Sequence, residues 1–329
     1  MKVLLTGGAG YVGSRVAAHL LDSGHDVTVF DSLVYGGLAL LPFVGRPEFN
    51  LVKGDVRDRE ALKRAMSRSD AVVHLAAVVG EAACSLDRAR TLAINRDAAI
   101  AALDTAAETS VGQFIFFSTC SNYGVSDPES LVNEDAALRP LSLYATTKVE
   151  AEQALLASTS GVTVTVLRLG TICGVSARMR FDLLVSEMAR AAALDLPIEI
   201  YKPAAWRPYL HIADAGRAVE LLLRTEKRRI ARRVFNVVGE NYQKLGLAQI
   251  VRDAYPNAQI RIVEGAPDKR DYRVDGSRIE RELGFVCKHT VAGAFLETSS
   301  AVRDGIFVDP MWEGHSAVPL GAQQAQVAV

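Results

Sequence analysis

Cysteine is scarce: Cys84, Cys120, Cys173 and Cys287 are the four among 329 residues. They are widely spaced and form no C-x-x-C pair, so neither a zinc site nor a disulfide framework is expected. Free thiols in a reducing cytoplasm are the expected state. An excess of charge of one sign is also missing. Lys plus Arg number 37 and Asp plus Glu 38, for a net charge of -1. That balance excludes a broad footprint for nucleic acid or anionic membrane, but not a local basic pocket. Long apolar runs are absent too. The stretch 71–80 is far short of the roughly 20 residues a membrane helix needs. The opening MKVLLTGGAG turns at once from a short apolar run into glycines, without the long h-region and cleavage site of a signal peptide. No repeat of fixed period stands out.

What is present is an ordinary soluble composition, with 49% hydrophobic and 23% charged residues. The length allows about two domains at roughly 150 residues each. Short β-branched runs alternate with Ala-rich helical stretches. Strands are expected at KVLLTG, DVTVFD, FNLVKGD, AVVHLAA, QFIFFST and VTVTVLRL, and helices at 11–23, 59–68, 89–109 and 144–158. Nearly all-apolar strands separated by helices imply a parallel sheet covered on both faces. The expected fold class is α/β, a Rossmann-type doubly wound parallel sheet with a smaller, interleaved C-terminal substrate lobe. Residues 1–170 form the expected nucleotide-binding domain, with returns at about 207–240. Residues 171–206 and 241–310 form the expected second lobe, and 311–329 a tail that frays from about His315.

GGAGYVG holds Gly7, Gly8, Gly10 and Gly13 directly after a strand and at the start of a helix. In that context the glycines let backbone approach a pyrophosphate, and the helix N-terminus offers unpaired N–H groups and a positive dipole end. Asp31 ends the second strand, 21 residues after Gly10. A carboxylate there would hold ribose hydroxyls and repel a 2′-phosphate. Asp55 and Val56 follow the third strand, where contact with adenine or a plain turn are equally good readings. His74 reads as a strand-end residue beside the cleft, with no chemistry assigned.

Tyr144 and Lys148 are four apart on an expected helix and so share a face. A phenol has a pKa near 10 and is a poor base at neutral pH. A neighbouring ammonium favours the phenolate, which can then take a hydroxyl proton while hydride leaves the same carbon. Y-x-x-x-K alone is common by chance. It gains weight from Thr119, a hydroxyl at a strand's carboxyl end, where ligands of such sheets bind.

Taken together, GGAGYVG, Asp31, GDV at 54–56, HLAA, the Asn95 helix, STCSNYG, YATTK, RPYLHIAD and RDYRVDGSRIERELGF carry a resemblance over roughly residues 1–300. The chain resembles the extended short-chain dehydrogenase/reductase family, in its NAD-dependent, nucleotide-sugar epimerase/dehydratase branch. The resemblance implies a catalytic group of Thr119, Tyr144 and Lys148. It places NAD against Gly7, Gly10, Tyr11, Val12, Gly13, Asp31, Asp55, Val56, Leu75, Ala76, Ala77, Asn95, Tyr144 and Lys148. It places a UDP-, GDP- or dTDP-linked sugar against Glu81, Cys120, Ser121, Thr171, Arg178, Arg180, Arg207 and Arg270, with Arg273 the alternative to Arg270. Arginine suits a diphosphate because its planar fork binds two phosphate oxygens.

The segment SARMRFDLLV is similar to a subgroup that includes GDP-heptose 4-dehydrogenases. A homodimer through helices 89–109 and 144–158 is implied as well. Related 4,6-dehydratases carry an Asp-Glu pair where this chain has Cys120 and Ser121, which disfavours that elimination. Cys120 itself reads as packing before it reads as an acid/base thiol. The implied activity is NAD-dependent oxidation at C4, as a 4-epimerase or 4-dehydrogenase. The alternatives are an NADH-dependent 4-keto-sugar reductase and a non-catalytic NAD-binding regulator.

Asp31 makes cofactor choice testable. Parallel titrations should show NAD binding more tightly than NADP, because a carboxylate facing a 2′-phosphate is unfavourable. Tighter binding of NADP would overturn this reading of Asp31.

Overall fold

The structure, a computed structural model, describes residues 1–127, 130–265 and 270–318. Among these, the strands in chain order are β1 (Lys2–Thr6), β2 (Asp26–Asp31), β3 (Phe49–Lys53), β4 (Ala71–His74), β5 (Gln113–Thr119), β6 (Leu131–Val132) and β7 (Thr163–Leu169). They continue as β8 (Thr171–Cys173), β9 (Ile198–Tyr201), β10 (Trp206–His211), β11 (Arg233–Val237), β12 (Glu240–Gln243), β13 (Ile260–Val263) and β14 (Arg273–Val274). Seven of them form one sheet in the order β11-β7-β5-β4-β1-β2-β3, and every pairing in it is parallel. The expected Rossmann-type fold is therefore borne out. The order reverses between β1 and β4, and ligands of such sheets bind at the carboxyl ends beside that point.

Burial on both faces explains the apolar runs: β5 is buried at all seven positions. Alternate side chains enter two cores. One holds Leu5, Val29, Ile115 and Leu167 beneath the helices Tyr11–Asp22 and Ile212–Arg224. The other holds Leu4, Phe30, Val72 and Phe114 beneath Ala98–Ala107 and Leu143–Ala157. The helices Tyr11–Asp22 and Ile212–Arg224 cross closely because Gly216 has no side chain. A Cβ there would lie 2.8 Å from the Cβ of His19.

Several local details differ from the sequence reading. The long Ala-rich helix is not uniform, because one π-helical turn, Ala93–Asp97, interrupts it. Of the stretch 207–240, only β11 joins the main sheet as a strand. β10 pairs with β8 and β12 in a separate three-stranded sheet. The helix Ser277–Leu283 packs back on the main sheet, with Ile279 and Phe285 in its core. The chain end does not fray at His315. That ring makes edge contacts with Phe181, Phe307 and Trp312, and its carbonyl accepts from Phe181 N–H at 2.9 Å. Residues 319–329 of the expected tail lie outside the described residues.

Beneath the carboxyl ends of β5 and β7 lies a buried charge pair. Glu152 accepts Arg168 Nε at 3.1 Å and Ser118 Oγ at 2.9 Å. Arg168 Nη1 donates to Tyr123 Oη at 2.9 Å and to the Glu134 carbonyl at 3.1 Å. Glu152 and Arg168 are 1% and 4% exposed, so removing one strands the other's charge out of water. Arg168→Leu should therefore lower the free energy of unfolding by about 3–5 kcal/mol, read by urea denaturation. A loss below about 1 kcal/mol, the value of an exposed pair, would refute this account.

Candidate functional site

The loops after β1, β2, β4, β5 and β7 open into one cavity of about 690 Å³. The glycine turn forms its floor. A Cβ on Gly7 would sit 2.8 Å from Ala76 N, and one on Gly13 would sit 2.2 Å from the Gly7 carbonyl oxygen. Only glycine permits that approach, which places the turn against the Leu75–Ala76 backbone. Helix Tyr11–Asp22 begins at Gly10 with no side chain capping its first N–H groups, so they are left for an anion. At the end of β2, Asp31 accepts N–H bonds from Ala9 at 3.0 Å and Leu33 at 2.8 Å. Burial raises its pKa against the pull of those two donors. The cradle, the uncapped helix end and the fixed carboxylate fit NAD.

Thr119, Tyr144 and Lys148 meet on one wall of the cavity. Ser142 caps the helix Leu143–Ala157 by accepting from Ala145 N–H, so Tyr144 enters on its first turn and Lys148 one turn later. Thr119, Arg180 and Arg270 lie near enough to the Tyr144 phenol to favour its charged form, while Thr119 Oγ1 accepts Ser121 N–H at 3.1 Å. Burial still dominates and pushes the phenol up to about 12. Burial also pushes Lys148 down to about 7, against the opposing field of Glu152 one turn on. Its ammonium lies 4.3 Å from the centre of the Phe116 ring, and the residue is 1% exposed. His74 is fully buried behind this group, and burial followed by the Lys148 charge lowers its pKa to about 3. It is a neutral ring, with Nδ1 3.0 Å from Thr6 Oγ1.

The expected cofactor residues Gly7, Gly10, Tyr11, Val12, Gly13, Asp31, Asp55, Val56, Leu75, Ala76 and Ala77 all line the cavity. Asn95 does not. Its amide instead holds both backbone groups of Val78, accepting N–H at 2.7 Å and donating to the carbonyl at 2.8 Å, and Val78 lines the cavity. Glu81, Ser121, Thr171, Arg178, Arg180, Arg207 and Arg270 line it as well. Cys120 does not. The thiol donates to the Arg168 carbonyl at 3.4 Å, among Tyr123, Tyr272 and Val274. Burial raises its pKa strongly, so it is a packing thiol. Arg273 stacks on Trp206, 4.5 Å from the ring centre, which leaves Arg270 in the cavity.

Sequence reasoning missed Tyr35, Arg90, Asp182, Lys244, Ala317 and Val318, all of which line the cavity. Arg178 lies 4.0 Å from the Tyr35 ring centre and donates to the Ser316 carbonyl at 2.5 Å. Tyr35 donates to the Ala317 carbonyl at 2.5 Å. Tyr35, Arg90, Lys244 and Ala317 carry no motif of their own and reach the cavity from separate parts of the chain.

The model of the NAD dependent epimerase/dehydratase family matches residues 3–238. The chain belongs to that family. A dTDP-glucose 4,6-dehydratase from Streptomyces niveus is 30% identical over 328 residues, covering 92% of this chain and 93% of that protein. A UDP-glucose 4-epimerase from Corynebacterium glutamicum is 29% identical, covering 93% and 97%. Among solved structures, the dTDP-glucose 4,6-dehydratase DesIV from Streptomyces venezuelae, with NAD bound, superposes with a TM-score of 0.83 at 27% identity, covering 96% of this chain and 100% of that one. The expected extended short-chain dehydrogenase/reductase class, with NAD as cofactor, is borne out.

Lys148 yields a test with a definite sign. Its pKa is about 10.5 in an unfolded chain and about 7 here, so the unfolded state binds the extra proton between those values. Burying the ammonium costs most at and below pH 7, and the cost fades as pH rises toward the unfolded value. NAD-free Lys148→Met should therefore be more stable than wild type at pH 6.5, by at least about 2 kcal/mol. The gap should narrow at pH 9. Urea unfolding at both pH values decides it, and a variant less stable at pH 6.5 refutes it.

Proposed function

We propose that this chain uses NAD-dependent oxidation at C4 of a nucleotide-diphosphate sugar as a 4-epimerase or a 4-dehydrogenase, and not as a 4,6-dehydratase. The observation that carries this is the state of Cys120 and Ser121. Dehydratases of this type need a general acid and a base after the catalytic threonine. Here Cys120 is turned into the core, and Ser121 accepts from Arg270 Nη1 at 3.1 Å and faces the Tyr272 hydroxyl at 3.4 Å. Neither group does the work of a carboxylate. Among the cavity's acids, Asp182 is held by Arg180 through bonds of 2.9 and 2.6 Å.

The residues then divide the work. When bound, NAD supplies the hydride acceptor. Tyr144 takes the proton of the sugar's C4 hydroxyl, and Thr119 holds that same oxygen. Lys148 stabilises the phenolate and gives the proton a further destination. Arg178, Arg180, Arg207 and Arg270 hold the nucleotide diphosphate and fix the sugar's angle. Epimerisation needs no further base, only a turned 4-keto ring before reduction. Because Thr119, Tyr144 and Lys148 are all present in one cavity, we do not favour a non-catalytic NAD-binding role.

The same reading makes the protein a cytoplasmic homodimer. Its four cysteines are unpaired, as in a reducing compartment. No helix among the described residues is long and apolar enough to cross a membrane. The helices Ala98–Ala107 and Leu143–Ala157 leave Ile100, Ala101, Ala154 and Leu156 only half-buried, a surface suited to a twofold mate. Light scattering at micromolar concentration should report a dimer, and a monomer would refute it.

Tyr144→Phe keeps the ring's packing and removes the proton acceptor. It should bind NAD and nucleotide normally and lose turnover by about a hundred- to ten-thousand-fold. Thr119→Val should lose less. The assay is absorbance of reduced NAD, together with the C4 epimer formed, on adding UDP-, GDP- or dTDP-sugars, because an epimerase returns its hydride to the sugar. A Tyr144→Phe protein as fast as wild type would remove Tyr144 from the mechanism. An inactive Cys120→Ala protein with intact binding would restore an acid/base role to that thiol.

A further inference from the structure

The segment Gly174–Ser176 links β8 to the arginines Arg178 and Arg180. One of its sides is tied to the first turn of the helix Tyr11–Asp22. Tyr11 Oη donates to the Gly174 carbonyl at 2.7 Å. Ser176 Oγ donates to the Tyr11 carbonyl at 2.9 Å and lies 3.0 Å from Ser14 Oγ. The other side is tied to the helix Val291–Arg303 by a single carboxylate oxygen. Oε1 of Glu297 accepts Val175 N–H at 2.7 Å and lies 3.1 Å from His211 Nε2.

The ring's tautomer follows from its other contact. Ala213 N–H donates to His211 Nδ1 at 3.2 Å, so the proton sits on Nε2 and points at Glu297. His211 is held in turn by stacking on His289, with centroids 4.6 Å apart, and His289 Nδ1 lies 3.2 Å from Asp214. There is no slack at the junction. A Cβ on Gly174 would lie 2.9 Å from that same Oε1 and 3.0 Å from Nε2.

We propose that Glu297 is a positioning residue for the substrate arginines: from the helix Val291–Arg303 it holds the strap Gly174–Ser176 against the start of the cofactor helix, and so fixes where Arg178 and Arg180 enter the cavity. This rests on the reading of those arginines as the groups that hold the nucleotide sugar. Glu297 does not line the cavity and supplies no proton. Its contribution is one acceptor atom that receives two donors. A strap pinned at both edges presents the arginines in one geometry. A strap pinned only at Tyr11 and Ser14 is freer about that edge, and the contacts of Arg178 with Tyr35 and Ser316 and of Arg180 with Asp182 then hold the arginines less sharply. Substrate binding then weakens while the Thr119–Tyr144–Lys148 group is unchanged.

The role of the acceptor atom separates this from a merely electrostatic or stabilising role. Glu297→Gln keeps an oxygen that can accept both donors, and Glu297→Ala keeps none. In the NAD-loaded protein, Glu297→Ala should speed amide hydrogen exchange in the peptide spanning 174–182, and Glu297→Gln should exchange like wild type. With whichever of the UDP-, GDP- or dTDP-sugars reduces bound NAD or is epimerised, Glu297→Ala should raise KM by about three- to ten-fold, the loss of one or two hydrogen bonds, with kcat within about two-fold. Glu297→Gln should restore KM.

Unchanged exchange in Glu297→Ala would overturn the proposal, as would Ala and Gln variants that behave alike, or a fall in kcat at constant KM. If no sugar reduces NAD or is epimerised at C4 by wild type, the functional reading fails, and the exchange measurement still decides the strap.

Discussion

An ammonium that is 1% exposed has lost nearly all of its water, and the face of Phe116 returns little of that loss. Lys148 tolerates this position because the surrounding structure over-determines it. It is anchored mid-helix on Leu143–Ala157, on the face that packs on the sheet through Ala151 and Leu155. Glu152, one turn on, supplies an opposing charge and is itself saturated by Arg168 and Ser118. The buried pair under β5 and β7 and the Lys148 ammonium above them therefore belong to one electrostatic column. The cost of holding Lys148 near neutrality in pKa comes from burial, and the fold supplies that burial.

The same column explains why Thr119, Tyr144 and Lys148 form a group. Thr119 is the last residue of a strand buried along its whole length, so its position is fixed by the sheet. Tyr144 is fixed by a capped helix start. The two rigid elements meet one strand away from the switch point, and their ends line the same cavity as the glycine turn. Close approach of Gly7 to Ala76 sets the floor of that cleft, so the hydroxyl, phenol and ammonium all face a narrow slot.

The chain is nearly neutral overall, and the cavity is lined both by Arg178, Arg180, Arg207, Arg270 and Lys244 and by carboxylates such as Asp31, Asp55, Glu81 and Asp182. What it offers an anion is the planar forks of individual arginines and not a broad positive field. The docked chain end belongs to this wall. Ser316 and Ala317 bond Arg178 and Tyr35 through their backbone, so the end of the described chain helps shape the mouth.

Most of the sheet was legible in the sequence because its signals are local. A strand buried on both faces must be apolar throughout, a turn that meets a pyrophosphate must be glycine, and residues four apart on a helix must share a face. Asp31 and the Thr119, Tyr144 and Lys148 group were readable for the same reason. The contacts that hold the cavity's arginines were not, although Arg178, Arg180, Arg207 and Arg270 were named from the sequence and line it. Arg270 meets Ser121 across 149 positions, and Tyr35 meets Ala317 across 282. No spacing rule reaches that far. The direction of a side chain was hidden as well. Cys120 and Ser121 are neighbours, yet one turns into the core and the other into the cavity. Asn95 serves the backbone of Val78 and does not line the cavity. Only tertiary packing decided those points, because neighbouring residues on a turn face opposite ways and the packing around the turn selects which of them meets the ligand.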